Sequence, residues 1–126
     1  MAEESSREKG EAMFAKVYGG AVQLAPPEAR DDYVNDVVDH LFGKVWPRSA
    51  LPIRDRRLVI IGIAIAQGED PIIEIQLRSA LANGELSPQD IRDILTMMPY
   101  YVGYPRAGRL QGIVRRILDD APPAAE

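Results

Sequence analysis

Few side chains in this sequence could carry chemistry. There is one histidine, His40, and its imidazole titrates near neutrality, so it could pass a proton in either direction. Four arginines lie between positions 48 and 57, namely Arg48, Arg54, Arg56 and Arg57. Each guanidinium group is a planar fork that matches a carboxylate. These residue types suit proton transfer and the binding of a small carboxylate.

Other chemistries are excluded by what the sequence lacks. Without cysteine there is no thiol catalysis, no disulfide and no thiolate metal site. A single histidine cannot form a site of several imidazole ligands within one chain, so we expect no metal. The net charge of −4 and the pI near 5.0 give no electrostatic footprint for nucleic acid. The first residues do not resemble a secretory signal, and we expect a cytoplasmic protein without a membrane partner.

The elements that must position these residues are organised around the segment from Leu58 to Ala66, which has no polar side chain. A helix that is apolar all round belongs in a core, and nine residues are too few to cross a bilayer. Its β-branched residues would also suit a buried strand. Because no other stretch resembles a strand that could pair with it, we predict a central buried helix, capped by Asp55 and ended by Gln67-Gly68.

Five further helices are predicted around this central one, which makes the expected fold an all-α bundle of about six helices. Prolines, capping residues and glycines mark their ends. Residues 1–126 are expected to form a single domain, with residues 1–6 and 121–126 as flexible tails. The further helices are expected at Arg7 to Tyr18, Pro26 to about Trp46, Asp70 to about Ala82, Ser87 to about Pro99, and from Pro105 onward.

Two helices carry patterns that bear on a site. The second helix has an apolar stripe of Val34, Val38, Leu41 and Val45, and His40 lies off this stripe. On the helix after Asp70, Gln76 falls inside an apolar arc. A buried amide without partners costs about 1–3 kcal/mol, so Gln76 should be hydrogen-bonded. It is either a core amide satisfied by its surroundings or a pocket wall that presents an amide to a ligand.

Four blocks of the sequence, in order and at matching spacing, resemble the carboxymuconolactone decarboxylase family, which shares its fold with the alkylhydroperoxidases. The resemblance spans roughly residues 10 to 118. The blocks are His40, Gly43, Trp46 and Arg48 in the first, Leu51, Arg54, Arg56 and Leu58 in the second, Leu77, Arg78, Ala80, Asn83 and Gly84 in the third, and Tyr101, Gly103 and Pro105 in the fourth.

The resemblance implies an all-α, alkylhydroperoxidase-like fold and assembly into trimers or hexamers. It also implies cofactor-free loss of CO₂ from a small lactone carboxylate, as part of aromatic compound catabolism. The alkylhydroperoxidase branch depends on a Cys-x-x-Cys pair, which this chain lacks, so it is not a peroxidase. Three positions depart from the decarboxylase pattern. Gln76 and Met97 stand where the family usually has histidine, and Ile72 stands where it tends to have glutamate.

On this resemblance, His40, Arg48 and Gln76 are the expected catalytic residues. Arg48 would hold the substrate carboxylate, His40 would protonate the carbanion-like carbon, and Gln76 would supply an amide where relatives have imidazole. We expect three further substrate contacts, at Trp46, Arg54 and Tyr101. The expected partners are a small-molecule carboxylate and further copies of this chain.

Each of these residues also has a structural interpretation. His40 could be an exposed or interface histidine, and Arg56 and Arg57 could pair with some of the nineteen acidic residues. Tyrosines such as Tyr101 more often pack and donate one hydrogen bond than catalyse. The sequence therefore leaves two functions open: a small lyase or isomerase, or a non-catalytic homologue that acts as a binding or assembly protein.

Overall fold

The computed structural model describes residues 5–120, and no strand occurs among them, so the all-α prediction is confirmed. The tails expected at 1–6 and 121–126 lie outside the described residues, apart from Ser5 and Ser6. The helices are α1 (Ser6–Tyr18), a 3₁₀-helix (Pro27–Ala29), α2 (Asp32–Asp36), a π-helical segment (Val37–Val45), α3 (Trp46–Arg48), α4 (Ile53–Gln67), α5 (Asp70–Ala82), α6 (Pro88–Met97), α7 (Pro99–Val102) and α8 (Tyr104–Asp120). They group into two compact units, residues 1–53 and residues 54–126.

In the first unit, α1 packs along the π-helical segment at close range. Gly10 and Gly43 permit this approach. A Cβ atom at Gly10 would overlap the carbonyl oxygen of Val38, and one at Gly43 would overlap that of Ser6. Glycine at both contact points therefore lets the two helical backbones touch.

The second predicted helix begins later than expected. Pro27 opens only a single 3₁₀ turn, and the chain is extended at Arg30. The Asp31 side chain then accepts a hydrogen bond from the Val34 amide at 2.9 Å and caps α2, which starts at Asp32. The prediction was wrong because a first-turn proline permits a helix start but does not satisfy the free amides there, whereas an aspartate cap does.

The second unit packs α4, α5, α6 and α8 around one apolar core. Local signals in the sequence mark its turns correctly. Ser87 and Asp90 form a reciprocal capping box, and the chain reverses at Gly68 and Gly84 with φ of 71° and 70°. The core side chains are Ile61, Ala64, Ile65, Ile73, Leu77, Ala80, Leu86, Ile91, Leu110, Ile113, Val114 and Ile117.

The central helix α4 is not buried on every side, which corrects the expectation for its apolar run. Ile61 and Ile65 lie in the core, but Val59 is 56% and Ile63 52% exposed. The neighbouring helices of its unit cover one face of α4, and these two residues lie on another. Asp55 belongs to the first turn of α4 and does not cap it, because the helix already begins at Ile53. No helix among residues 5–120 is both long and apolar enough to cross a membrane.

Candidate active site

His40 lies on the exposed side of the π-helical segment in the first unit, at an open cleft of about 540 Å³. The residues that line this cleft follow the helical spacing of a single face: Tyr33, Asp36, Val37, His40 and Leu41. The cleft thus presents an imidazole, a carboxylate and a phenol beside two aliphatic side chains. Such a surface can contact the apolar part of a small ligand and exchange a proton with a reacting atom of that ligand.

The orientation of this face is set by the π-helix. The Trp46 amide donates to the Leu41 carbonyl, five residues back, so each turn holds more residues than in an α-helix. As a result the large buried side chains are Val38, Phe42 and Trp46, and Gly43 is buried as well. The predicted apolar stripe was wrong at Leu41 and Val45, because both of these side chains are rotated outward and exposed. Segments of π-helix occur frequently at functional sites.

Trp46 and Arg48 differ in their surroundings. The Trp46 ring is buried and stacks on Phe42, with the ring centroids 6.0 Å apart and the planes 5° from parallel. Phe14 and Tyr18 complete this aromatic cluster around Phe42. Arg48 is the last residue of α3 and is exposed, and it is not one of the residues that line the His40 cleft.

In the second unit, Gln76 is buried and bonded to a buried arginine. Arg57, which is 0% exposed, donates from Nη1 to the Gln76 Oε1 atom at 2.9 Å. Its Nε and Nη2 atoms donate to the two carboxylate oxygens of Glu85 at 2.8 and 3.1 Å. The structural pairing expected for Arg57 is therefore present, and the Gln76 oxygen is engaged inside the protein.

Glu85 is the member of this group that the sequence analysis did not identify. It lies in the loop between α5 and α6, and Asn83 donates a further hydrogen bond to its carboxylate at 2.8 Å. Burial would raise the pKa of the Glu85 carboxyl, but the hydrogen bonds from Arg57 and Asn83 and the charge of Arg57 hold that pKa below its usual value. A loop residue has no helical periodicity, so no pattern indicates that the Glu85 side chain is only 10% exposed.

The remaining expected contacts, Arg54 and Tyr101, are both exposed. Arg54 donates from Nε to the Glu85 carbonyl oxygen at 2.9 Å, and its Nη1 atom lies 3.8 Å from the Asp55 carboxylate. Tyr101 is 78% exposed on α7. Five of the six expected site residues fall into two sets: His40, Trp46 and Arg48 lie close together in sequence in the first unit, whereas Arg54 and Gln76 belong to the network around Glu85 in the second. The sixth, Tyr101, lies on α7 of the second unit. Among residues 5–120, no three or more His, Asp or Glu side chains form a group that could hold a metal ion.

The region that matches known proteins includes both sets of residues. The model of the carboxymuconolactone decarboxylase family matches residues 31–115, from the cap of α2 into α8. The 4-carboxymuconolactone decarboxylase of Acinetobacter baylyi is 25% identical over 95 residues, which is 75% of this chain and 70% of that protein. Because the family model matches residues 31–115, which is more than half of the chain and includes His40, the Arg57–Gln76–Glu85 network and the tyrosines of α7, the chain belongs to the carboxymuconolactone decarboxylase family.

Proposed function

We propose that this protein is a cofactor-free lyase or isomerase that acts on a small carboxylated lactone or a related enolisable acid. Its membership of the carboxymuconolactone decarboxylase family supports the reaction class. The similarity to a 4-carboxymuconolactone decarboxylase supports a lactone carboxylate as substrate. The observation that carries the proposal is the exposed His40 imidazole in an open cleft that also has apolar walls.

The proposed reaction assigns one task to each of two residues. Arg48, an exposed guanidinium group, would bind a substrate carboxylate through its planar fork. When the carbon–carbon bond to the departing carboxylate breaks, its electron pair stays on the substrate as an enolate and CO₂ leaves. His40 would then give a proton to that carbon. Preorganised donors can stabilise the developing negative charge without a cofactor.

The other expected residues take less direct roles in the proposal. The Gln76 oxygen accepts a hydrogen bond from Arg57, so we assign Gln76 to positioning Arg57 and not to contacting the substrate. Trp46 is buried against Phe42 and would support the segment that carries His40 and Arg48. Arg54 and Tyr101 are exposed and remain proposed substrate contacts.

A non-catalytic binding or assembly protein is the second candidate, and one observation favours it. Where the decarboxylases that this chain resembles usually have histidine, Gln76 has its oxygen bonded within the core. An amide oxygen used in this way contributes to folding and is already occupied by a protein donor.

Assembly into a trimer or hexamer belongs to the same proposal. Several apolar side chains are exposed in the single chain, among them Leu41 and Val45 in the first unit and Val59 and Ile63 in the second. Exposed apolar patches commonly mark association sites, and closed symmetry is the usual way to cover them. The cleft at His40 is lined from one helix face only, so a neighbouring copy could supply its opposite wall.

A substrate screen tests the proposed function. Purified full-length protein would be incubated with a panel of small carboxylated lactones and β-keto acids, with CO₂ release and proton NMR of the products as readouts. We expect at least one lactone carboxylate to turn over, and the His40→Ala variant to act as the matched blank. No turnover across the panel, or equal turnover by the variant, would favour the non-catalytic homologue.

A further inference from the structure

A second cleft lies in the second unit, where α6, α7 and α8 meet, and it encloses about 380 Å³. Its apolar side includes Leu95, Pro99 and Ala107. Small-molecule sites commonly have volumes of about 300–1,000 Å³ and combine apolar walls with a few polar groups. The second cleft has this composition, and none of the residues assigned to the proposed reaction lines it.

Two tyrosines form one wall of the second cleft because of the turn between α7 and α8. Gly103 has φ of 91°, a left-handed conformation that side chains other than glycine rarely adopt. This turn brings Tyr100 and Tyr104 edge to face, with ring centroids 6.1 Å apart and planes at 71°. A hydrogen bond with Tyr100 raises the pKa of the Tyr104 hydroxyl.

The polar groups of the second cleft are uncharged. The Thr96 hydroxyl donates to the Arg92 carbonyl oxygen at 2.9 Å, so what it presents outward is an acceptor. Gln111 adds an amide, which can both donate and accept. No Lys, Arg, Asp or Glu of the described residues 5–120 is among those that line this cleft. An ionic ligand would find no counter-charge here, whereas a neutral polar group would find both donors and acceptors.

We propose that this second cleft binds an uncharged ring compound that carries a hydrogen-bonding group such as an amide or a phenol. The ring would contact the two tyrosines and the apolar side of the cleft, and its polar group would form hydrogen bonds with Thr96 and Gln111. Aromatic rings favour edge-to-face and offset contacts of the kind that Tyr100 and Tyr104 offer. The second cleft shares no lining residue with the His40 cleft, and this ligand class differs from the anionic substrate of the proposed reaction, so the two are separate sites.

Gly108 provides a direct test, because it lines the second cleft and a Cβ atom there would meet no atom within 4 Å. The first atom of a Gly108→Leu side chain therefore meets open space, and the rest of the side chain would occupy part of the cleft. Gly112, one turn further along α8, has equally open surroundings but does not line the cleft. Both substitutions replace a helical glycine with a better helix former, so both variants should fold, and Gly112→Leu is the matched control.

The experiment titrates ¹⁵N-labelled full-length protein with benzamide and with benzoate, which have similar shapes but differ in charge. We expect benzamide to shift the amides of Thr96, Ala107 and Gln111 saturably, with benzoate at least about tenfold weaker. Gly108→Leu should weaken benzamide binding by about tenfold or more, whereas Gly112→Leu should stay within about twofold of the parent.

Three results would overturn the proposal. They are benzoate binding as well as benzamide, benzamide binding unchanged in Gly108→Leu, and the absence of any saturable shift at these amides. The comparison of the two ligands uses the unchanged protein, so it decides the matter even if a variant fails to fold. None of these measurements depends on catalytic activity. The binding proposal can therefore be disproved while the proposed reaction stands, and the proposed reaction can be disproved while the binding proposal stands.

Discussion

Arg57 and Glu85 are 28 residues apart in sequence, yet they form a two-bond ion pair at 2.8 and 3.1 Å inside the second unit. Through this pair α4 is tied to the loop between α5 and α6. The same loop residue is also held through its backbone, because Arg54 donates to the Glu85 carbonyl oxygen. Gln76 on α5 completes the network by accepting a hydrogen bond from Arg57. One guanidinium group therefore joins α4, α5 and the loop between α5 and α6.

Neutralising Glu85 should destabilise the protein markedly. The Glu85→Gln variant leaves the buried charge of Arg57 without its counter-charge, and we expect a loss of about 3 kcal/mol in the free energy of unfolding. The matched control is Asp120→Asn, which makes the same chemical change in an exposed pair with Arg78 and should cost less than about 1 kcal/mol. Urea unfolding of both variants measures this. Equal losses in the two would show that burial of the Arg57 pair is unimportant.

The stability that Glu85 contributes should disappear in acid. The pKa of Glu85 is lower in the folded protein than its ordinary value of 4.5, so its contribution is complete above that pH and declines as the pH falls through the folded pKa. The difference in unfolding free energy between the parent and Glu85→Gln should therefore shrink below about pH 4.5. Because the pKa values of Asp39, Glu74 and Asp90 are also lowered, only this difference isolates Glu85. A difference that stays constant down to pH 3 contradicts the prediction.

Gln76 should contribute to stability more through its acceptor oxygen than through its NH₂ group. Gln76→Leu removes an acceptor of Arg57, and we expect it to cost about 1–3 kcal/mol in unfolding free energy. Gln76→Glu keeps an oxygen at the same distance and should retain more of the stability than the leucine variant. Thermal and urea unfolding give the ranking. If leucine is tolerated better than glutamate, the buried hydrogen bond is not what position 76 provides.

His40→Ala should separate chemistry from folding. His40 is exposed, so its removal should change the unfolding free energy by no more than about 0.5 kcal/mol. If His40 is the proton donor, turnover of a substrate found in the screen should fall about 10²–10⁴-fold. Lys44→Ala, an exposed change on the same π-helical segment, is the control. Full activity in the His40 variant would remove this residue from the mechanism.

An acidic residue at Leu41 should weaken self-association. Leu41 is exposed beside His40, and an apolar side chain there is expected to contact a neighbouring copy. We expect the parent to scatter light as a trimer or hexamer of the 13.9 kDa chain and Leu41→Glu to shift toward smaller species. Lys44→Glu introduces the same new side chain at an exposed polar position and is the control. A parent that runs as a clean 13.9 kDa species at micromolar concentration contradicts the oligomer.

Local chemistry explains why helix boundaries of the second unit were predictable. The capping box joins Ser87 to Asp90 across three residues, with bonds of 2.9 and 3.0 Å in both directions. Gly84 can adopt its left-handed conformation without regard to distant neighbours, and Pro99 cannot continue a helix that needs its amide. Each of these signals acts within one turn of the chain, so the sequence alone determined where α5 and α6 end and where α6 begins.

The direction in which the side chains face was decided by the tertiary structure. The sequence alone placed His40 on a helix and Gln76 in an apolar arc, and it carried the family's motifs. It could not show that Val37–Val45 is wound as a π-helix, which turns Leu41 outward, because that depends on how the segment packs against α1. Nor could it pair Arg57 with Glu85. The buried Arg57 guanidinium can pair only with an acidic residue that the fold brings next to it. Which of the nineteen acidic residues that is depends on the tertiary structure.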